Sequence, residues 1–191
     1  PNDDAIRSTI GLSVDETMNC LWPTSTNLRL SEYRELLREL YSNQFRSRRI
    51  ESKLFPNAFD ALHSLNKRDN MILAVATGKS RRGLDRETFE HGLNSVFHAV
   101  RTSSDSKPKP NPAMLLSLCE ELNVSPEQTL MIGDSVFDIK MAVAADIKSI
   151  GVSFGACSKE VLEVEGASQV VDNWIELVEE INTTVSDWKN R

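Results

Sequence analysis

Two carboxylates, Asp134 and Asp138, stand four residues apart directly after a short apolar run at residues 129–132. Such a run predicts a buried parallel strand, and the pattern that begins at Val136 predicts a helix after it. Ligands of open α/β sheets bind beyond the carboxyl ends of the strands, so both carboxylates are expected at such a site. They suit Mg²⁺, which takes one or two carboxylates together with phosphate oxygens. Ser135 and Asp138 also fit a capping box, so a simple helix cap is the alternative.

A second polar turn, residues 77–80 with the sequence TGKS, follows the apolar run at residues 71–76 and opens a helical pattern. A hydroxyl and backbone N–H groups at a helix N-terminus predict a phosphate-binding site. The letters GKS also occur in P-loops, but a P-loop needs a glycine five residues before Gly78, where this chain has Leu73. A helix cap without a ligand is the remaining alternative.

Lys107 begins a loop with three alternating prolines, residues 107–112. The prolines keep this loop stiff and extended, so it can hold an ammonium group near the end of the sheet at low entropic cost. An exposed lysine in a proline cluster is the alternative. Taken together, a hydroxyl, a lysine and two carboxylates follow three separate strands, and these are the groups that phosphoryl transfer needs.

The elements that must position these groups alternate along the second part of the chain. Strands are predicted at residues 71–76, 96–100, 129–132, 148–152 and 169–171, and helices at 58–66, 80–92, 112–122, 136–145, 158–165 and from 173 onward. Before residue 53 the pattern is helical only, at residues 4–10, after Ser13 and at 31–47. We therefore expect a small helical domain at residues 1–52. Residues 53–191 should form a Rossmann-like α/β core with a parallel sheet covered on both faces.

Composition and charge limit the kinds of binding partner and the cellular compartment that we expect for this chain. A net charge of −6 over 191 residues argues against nucleic acid as a partner, and the basic run at residues 46–49 is expected to be a solvated helix face. Cys20, Cys119 and Cys157 are odd in number and far apart, which fits reduced thiols in the cytoplasm. No apolar run reaches membrane-spanning length. Because the sequence starts at Pro1 without an initiator methionine, we expect a chain entered part-way through.

In these features the chain resembles the haloacid dehalogenase superfamily of phosphatases, and most closely its phosphoglycolate-phosphatase-like members. The matching pieces are Thr77 after an apolar strand, Lys107 before Pro108, and the pattern G-D-x-x-x-D at residues 133–138. The helical residues before 53 resemble the cap of that family. The resemblance implies a Mg²⁺-dependent phosphatase of small phosphorylated metabolites that works through an aspartyl-phosphate. It is expected to be a monomer or homodimer, without a nucleic acid or membrane partner.

The resemblance also implies a role for each residue of the site. Thr77 and the N–H of Gly78 would bind the transferring phosphate, and Lys107 would stabilise the phosphoryl group and its nucleophile. Asp134 and Asp138 would hold Mg²⁺ directly or through water. Substrate choice would fall to the cap.

One part of the family pattern is absent from the sequence. The nucleophile of the family lies in a D-x-D-G-T motif on the first, central strand, and these 191 residues do not contain it; Asp3 and Asp4 follow no predicted strand. We therefore expect an N-terminal truncation and an inactive fragment. The missing strand would lie between the strands at 71–76 and 129–132, so direct ladder hydrogen bonds between these two would contradict this expectation.

Two alternatives remain open from the sequence. The first is a phosphosugar mutase of the same family, which moves a phosphoryl group within a sugar phosphate. The second is a non-catalytic protein that binds phosphate ligands or a partner through the same scaffold. The missing nucleophile motif favours the second alternative for the chain as it stands.

Overall fold

The computed structural model describes residues 1–22, 32, 35–40, 43 and 52–189. The helices are α1 (Asp3–Arg7), α2 (Val14–Leu21), α3 (Ala58–Asn66), α4 (Arg81–Glu90), α5 (Ala113–Leu122), α6 (Val136–Ala144), α7 (Lys159–Val164) and α8 (Trp174–Lys189), with a 3₁₀ turn at Pro126–Gln128. The strands are β1 (Ala74–Ala76), β2 (Ala99–Arg101), β3 (Leu130–Gly133), β4 (Lys148–Val152) and β5 (Gln169–Val171). The alternation from α3 onward confirms the predicted α/β class.

The five strands form two parallel sheets rather than one. β1 pairs with β2, and the second sheet has the order β3-β4-β5. Every pair is parallel, so the carboxyl ends of the strands within each sheet share one edge. Among the residues that the structure describes, no ladder joins β1 to β3. The pairing that would have contradicted a strand between them is therefore not formed.

Both faces of the sheet β3-β4-β5 are covered by helices. On one face Met131 packs with buried residues of α5 and α6, including Met114 and Met141. On the other face Ile150 and Val171 pack against α8, with Leu130, Ile132, Trp174, Leu177 and Ile181 around them. This two-sided burial explains why β3 is continuously apolar in the sequence.

The N-terminal residues form short helices, as predicted. Asn2 caps α1 through Ala5 N–H at 2.9 Å, and Ser13 caps α2 through Glu16 N–H at 3.2 Å. Residues 35–40 are helical, and the rest of the helix predicted at 31–47 and the basic run at 46–49 lie outside the described residues. The division into a cap at 1–52 and a core at 53–191 stays a prediction.

Several predicted element ends are shifted. β1 is confined to its last three residues, and β2 lies at 99–101 rather than 96–100. Pro112 was expected as the first helical residue of α5 but stands at the N-cap, where the Asn111 side chain accepts from Ala113 N–H at 3.0 Å. Asn173 caps α8, since its Oδ1 accepts from Glu176 N–H at 3.0 Å and its Nδ2 donates to Glu176 Oε1 at 2.7 Å. No helix in the described part of the chain is both long and apolar enough to span a membrane.

Two residues of helix α7 should differ sharply in their contribution to the stability of the fold. Leu162 is fully buried against Ile139 and Val170, whereas Val164, in the same helix, is 86% exposed. We expect Leu162→Ala to lower the free energy of unfolding by about 2–5 kcal/mol through the cavity it leaves. Val164→Ala should change it by less than about 0.5 kcal/mol. Urea unfolding followed by circular dichroism measures both, and equal losses would contradict this arrangement of the core.

Candidate functional site

The strand ends bring the polar turns to the same region of the molecule. Thr77 follows β1 directly, and Asp134 follows β3. The loop between α1 and α2 touches both turns. A Cβ added to Gly78 would lie 2.7 Å from the main-chain oxygen of Leu12, and one added to Gly11 would lie 2.5 Å from Ser135 Oγ. The segment of residues 11–12 therefore packs against the predicted phosphate loop on one side and the start of α6 on the other.

Both carboxylate oxygens of Asp138 are committed within the protein. Oδ2 accepts from the Ser135 hydroxyl at 2.8 Å and from the Ser135 N–H at 3.2 Å, while Ser135 Oγ accepts from Asp138 N–H. The predicted capping box is therefore present. Oδ1 accepts from Lys109 Nζ at 2.5 Å. The capping interpretation is correct for Asp138, and it coexists with an ion pair that the sequence did not suggest.

Lys109, rather than Lys107, contacts the Asp138 carboxylate. The Lys109 side chain is only 7% exposed and that of Asp138 5%, so this ion pair is shielded from water. Lys107 is exposed. A Lys-Pro dipeptide occurs twice in residues 107–110, so the dipeptide could not tell the two lysines apart. Of the two, the structure brings Lys109 to Asp138 and leaves Lys107 at the surface.

Asp134 is held differently from Asp138. Its Oδ2 accepts from Ala156 N–H at 3.0 Å, and its main-chain oxygen accepts from Cys157 N–H at 3.0 Å. Within the described residues, Oδ1 of Asp134 has no hydrogen-bond or ion-pair partner. The Asp134 carboxylate is half-buried and keeps one oxygen for an external ligand.

The turn at residues 77–80 has the geometry of a helix-opening loop. Thr77 N–H donates to Arg101 O at 2.9 Å across the β1–β2 edge, and Thr77 Oγ1 accepts from Lys79 N–H at 3.2 Å. Ser80 caps α4 through Gly83 N–H at 3.3 Å. Lys79 is paired with Glu87 on the surface at 2.5 Å. The Thr77 hydroxyl proton therefore stays available to a ligand.

The carboxylates of this region fit a divalent cation only in part. In the described part of the chain, no group of three or more His, Cys, Asp and Glu side chains is placed to hold a metal. Mg²⁺ is commonly bound by one or two carboxylates, with water and phosphate oxygens completing its coordination. Asp134, with one uncommitted oxygen, fits such a cation as one of its ligands. Asp138 is already neutralised by Lys109, so direct coordination by Asp138 would need that ion pair to rearrange.

Comparison with known proteins identifies the family of this chain. The family model of haloacid dehalogenase-like hydrolases matches residues 1–152. The chain belongs to this family. A phosphoglycolate phosphatase of Psychrobacter arcticus is 38% identical over 103 residues, which are 53% of this chain and 44% of that protein. The Vibrio parahaemolyticus phosphoglycolate phosphatase is 30% identical over 172 residues, covering 89% of this chain and 73% of that protein.

Solved structures agree with the family fold. A hydrolase from Pseudomonas syringae superposes with a TM-score of 0.78 at 20% identity, covering 96% of this chain and 84% of that one. A haloacid dehalogenase-like protein from Streptococcus pneumoniae gives 0.76 at 20% identity, with coverage of 95% and 82%. The matched segments span 44% and 46% of the full lengths of the first two relatives compared by sequence, which is less than half of each. The fold and the phosphoglycolate-phosphatase-like character are thus shown, and the roles of Thr77, Gly78, Lys107, Asp134 and Asp138 stay predictions.

Because Lys109 is in a buried ion pair and Lys107 is exposed, substitutions of the two lysines should differ in their effect on stability. Lys109→Met leaves the Asp138 charge buried without its counter-ion, and breaking such a pair costs about 3–5 kcal/mol. Lys107→Met removes an exposed charge and should change stability by less than about 0.5 kcal/mol. Urea unfolding of the two variants measures the difference. A loss from Lys109→Met no larger than that from Lys107→Met would show that the pair is not buried in solution.

Proposed function

We propose that this chain carries the phosphate- and metal-binding part of a Mg²⁺-dependent phosphatase that acts on small phosphorylated metabolites. The observations that carry the proposal are the buried Lys109–Asp138 pair at the start of α6 and the free carboxylate oxygen of Asp134, just before that helix, which suits a cation. The names of the relatives point to phosphoglycolate as the substrate class, a small dianionic phosphomonoester with a carboxylate.

Each residue of the site has a place in this proposal. Thr77 and the Gly78 N–H would bind the phosphate oxygens, since both lie at the turn that opens α4. Lys109 has two N–H groups besides the one bonded to Asp138, and these would stabilise charge that develops on the transferring phosphoryl group. We assign to Lys109 the role first expected of Lys107, because only Lys109 is buried at the carboxylates. Asp134 would hold Mg²⁺, which supplies charge neutralisation on the phosphate oxygens.

The nucleophile would be a carboxylate that none of these 191 residues provides in a D-x-D-G-T motif. We propose that a further strand carries it between β1 and β3. The support is that these two strands belong to different sheets in the described chain. The covalent aspartyl-phosphate route splits a difficult displacement into two easier steps, and it depends on that residue.

The phosphosugar mutase alternative would use the same binding residues. The named relatives at 30% identity or above are phosphatases rather than mutases, which favours hydrolysis. The non-catalytic alternative predicts phosphate binding without turnover in any longer form of the protein. Phosphate release by a longer form that contains the D-x-D-G-T motif would exclude this alternative.

The binding part of the proposal predicts ligand contacts at named residues. Addition of Mg²⁺ with 2-phosphoglycolate or inorganic phosphate should shift the amide NMR signals of Thr77, Gly78 and Asp134. Lys109→Met should weaken this binding by roughly 10- to 100-fold, the range of a hydrogen bond to a charged group. Lys107→Met serves as the matched control and should bind like the unchanged chain. Equal effects of the two substitutions, or no shifts at these amides, would contradict the assignment.

The catalytic part predicts that the 191-residue chain by itself does not hydrolyse phosphomonoesters. Uncatalysed phosphomonoester hydrolysis is among the slowest known reactions, and binding groups alone do not replace a covalent route. Release of inorganic phosphate from 2-phosphoglycolate with Mg²⁺ should equal that of the Asp134→Asn variant. Mg²⁺-dependent turnover that Asp134→Asn abolishes would show that a nucleophile lies within these residues.

A further inference from the structure

The loop between β4 and α7 lies against Asp134, although no motif of the sequence pointed to it. It contributes two backbone donors to this one residue. Ala156 N–H donates to the carboxylate oxygen Oδ2, and Cys157 N–H donates to the main-chain oxygen, each at 3.0 Å. Because Ala156 holds Oδ2, the uncommitted oxygen of Asp134 is Oδ1.

Gly155 permits this close approach. A Cβ at residue 155 would lie 2.2 Å from Asp134 Cβ and 2.4 Å from its Oδ2. Non-bonded carbon atoms pack at about 3.5–4.0 Å, so any side chain here would displace the loop or the carboxylate by more than about 1 Å. The obstacle is Asp134 Cβ, which moves only with its backbone. The exclusion is therefore steric and does not depend on the φ angle of Gly155.

The loop is anchored on both sides of these contacts. Phe154 packs edge-on against Phe55, with ring centroids 5.3 Å apart, and also contacts Trp174. Cys157 packs against the buried cluster that contains Ile139 and Leu162. Ser153 N–H donates to Val171 O at 3.0 Å, which fixes the start of the loop to β5. The two backbone donors are consequently held by core packing, although Gly155 and Ala156 are themselves exposed.

We infer that residues 154–157 form a positioning loop that orients the Asp134 carboxylate, with Gly155 as the residue that this arrangement requires. The inference rests on the proposed function in one respect, namely that the oriented oxygen Oδ1 receives a cation. Hydrogen-bond partners of metal ligands fix the orientation of those ligands, and their loss typically weakens metal binding by about 10- to 100-fold. The Ala156 N–H is such a partner for Asp134.

The metal-free test is amide hydrogen exchange. Ala156 is exposed, so its N–H should exchange slowly only because it is bonded to Asp134 Oδ2. Asp134→Ala removes that acceptor but keeps the main-chain oxygen that accepts from Cys157. We expect amide exchange of Ala156 to become at least about tenfold faster because its N–H loses its acceptor, whereas exchange of Cys157 should change little. A tenfold change corresponds to about 1.4 kcal/mol in the free energy of the protecting hydrogen bond. Equal exchange of Ala156 in both proteins would overturn the inference.

The second test measures Mn²⁺ binding by the electron paramagnetic resonance signal of the free ion. Gly155→Ala should weaken the binding by roughly 10- to 100-fold. Gly83→Ala is the matched control, because a Cβ there meets Ser80 Oγ at an ordinary 3.4 Å, and its affinity should equal that of the unchanged chain. Unchanged affinity in Gly155→Ala would overturn the inference.

The outcomes separate the inference from the proposed function. If the unchanged chain binds no Mn²⁺ but Ala156 loses its protection in Asp134→Ala, the loop positions Asp134 and the cation role of Asp134 fails. If circular dichroism shows that Gly155→Ala is unfolded, the steric requirement is supported and the exchange of Ala156 alone decides the role of the loop.

Discussion

The Lys109–Asp138 ion pair is the contact on which the geometry of the site depends. Removing two charges from water is costly, and a buried pair is tolerated only where additional hydrogen bonds satisfy the remaining atoms. Ser135 provides these bonds to Asp138 Oδ2 through both its hydroxyl and its N–H. The pair also ties the first turn of α6 to the proline loop that precedes α5. One interaction thus fixes the position of an ammonium group at Asp138, which is four residues after Asp134.

The two aspartates of the G-D-x-x-x-D pattern have separate tasks, although the sequence presents them as a pair. Asp138 has both oxygens engaged by Lys109 and Ser135, so its main task is to hold the lysine and to cap α6. Asp134 is bonded on one side only and keeps an oxygen for an external ligand. This division follows from local geometry. Asp138 lies in the first turn of α6, where its side chain can bond the N-cap residue Ser135. Asp134 lies before the helix and contacts the β4–α7 loop.

The arrangement of the strands determines what these residues can do together. Parallel strands place their following turns at one edge within a sheet, but Thr77 and Asp134 follow strands of different sheets. β1 and β3 are not paired in the described chain, and the segment of residues 11–12 lies against the turns that follow both. The core and the N-terminal residues therefore bring the turn at Thr77 and the turn at Asp134 to one region of the described chain.

The sequence by itself determined the class and order of the core elements. Apolar runs bounded by turn residues predicted the five strands of the described chain, most clearly β3, where burial on both faces leaves a continuous apolar signal. The phosphate and cation chemistry inferred from the polar turns stays a prediction. Element ends were less certain, since hydrogen bonding at the ends depends on neighbours; β1 is shorter than its apolar run for this reason. The cap at Ser135 was found correctly because capping is a local interaction over three residues.

Tertiary structure alone decided which lysine reaches the carboxylates and what holds Asp134. Lys107 and Lys109 are each followed by a proline in sequence, and only the packing of the loop against α6 buries one and exposes the other. The contacts of Ala156 and Cys157 with Asp134 join residues more than twenty positions apart through main-chain atoms, which carry no side-chain signature. Interactions of this kind depend on how strands and loops come together in space, and a pattern read along the chain does not contain that information.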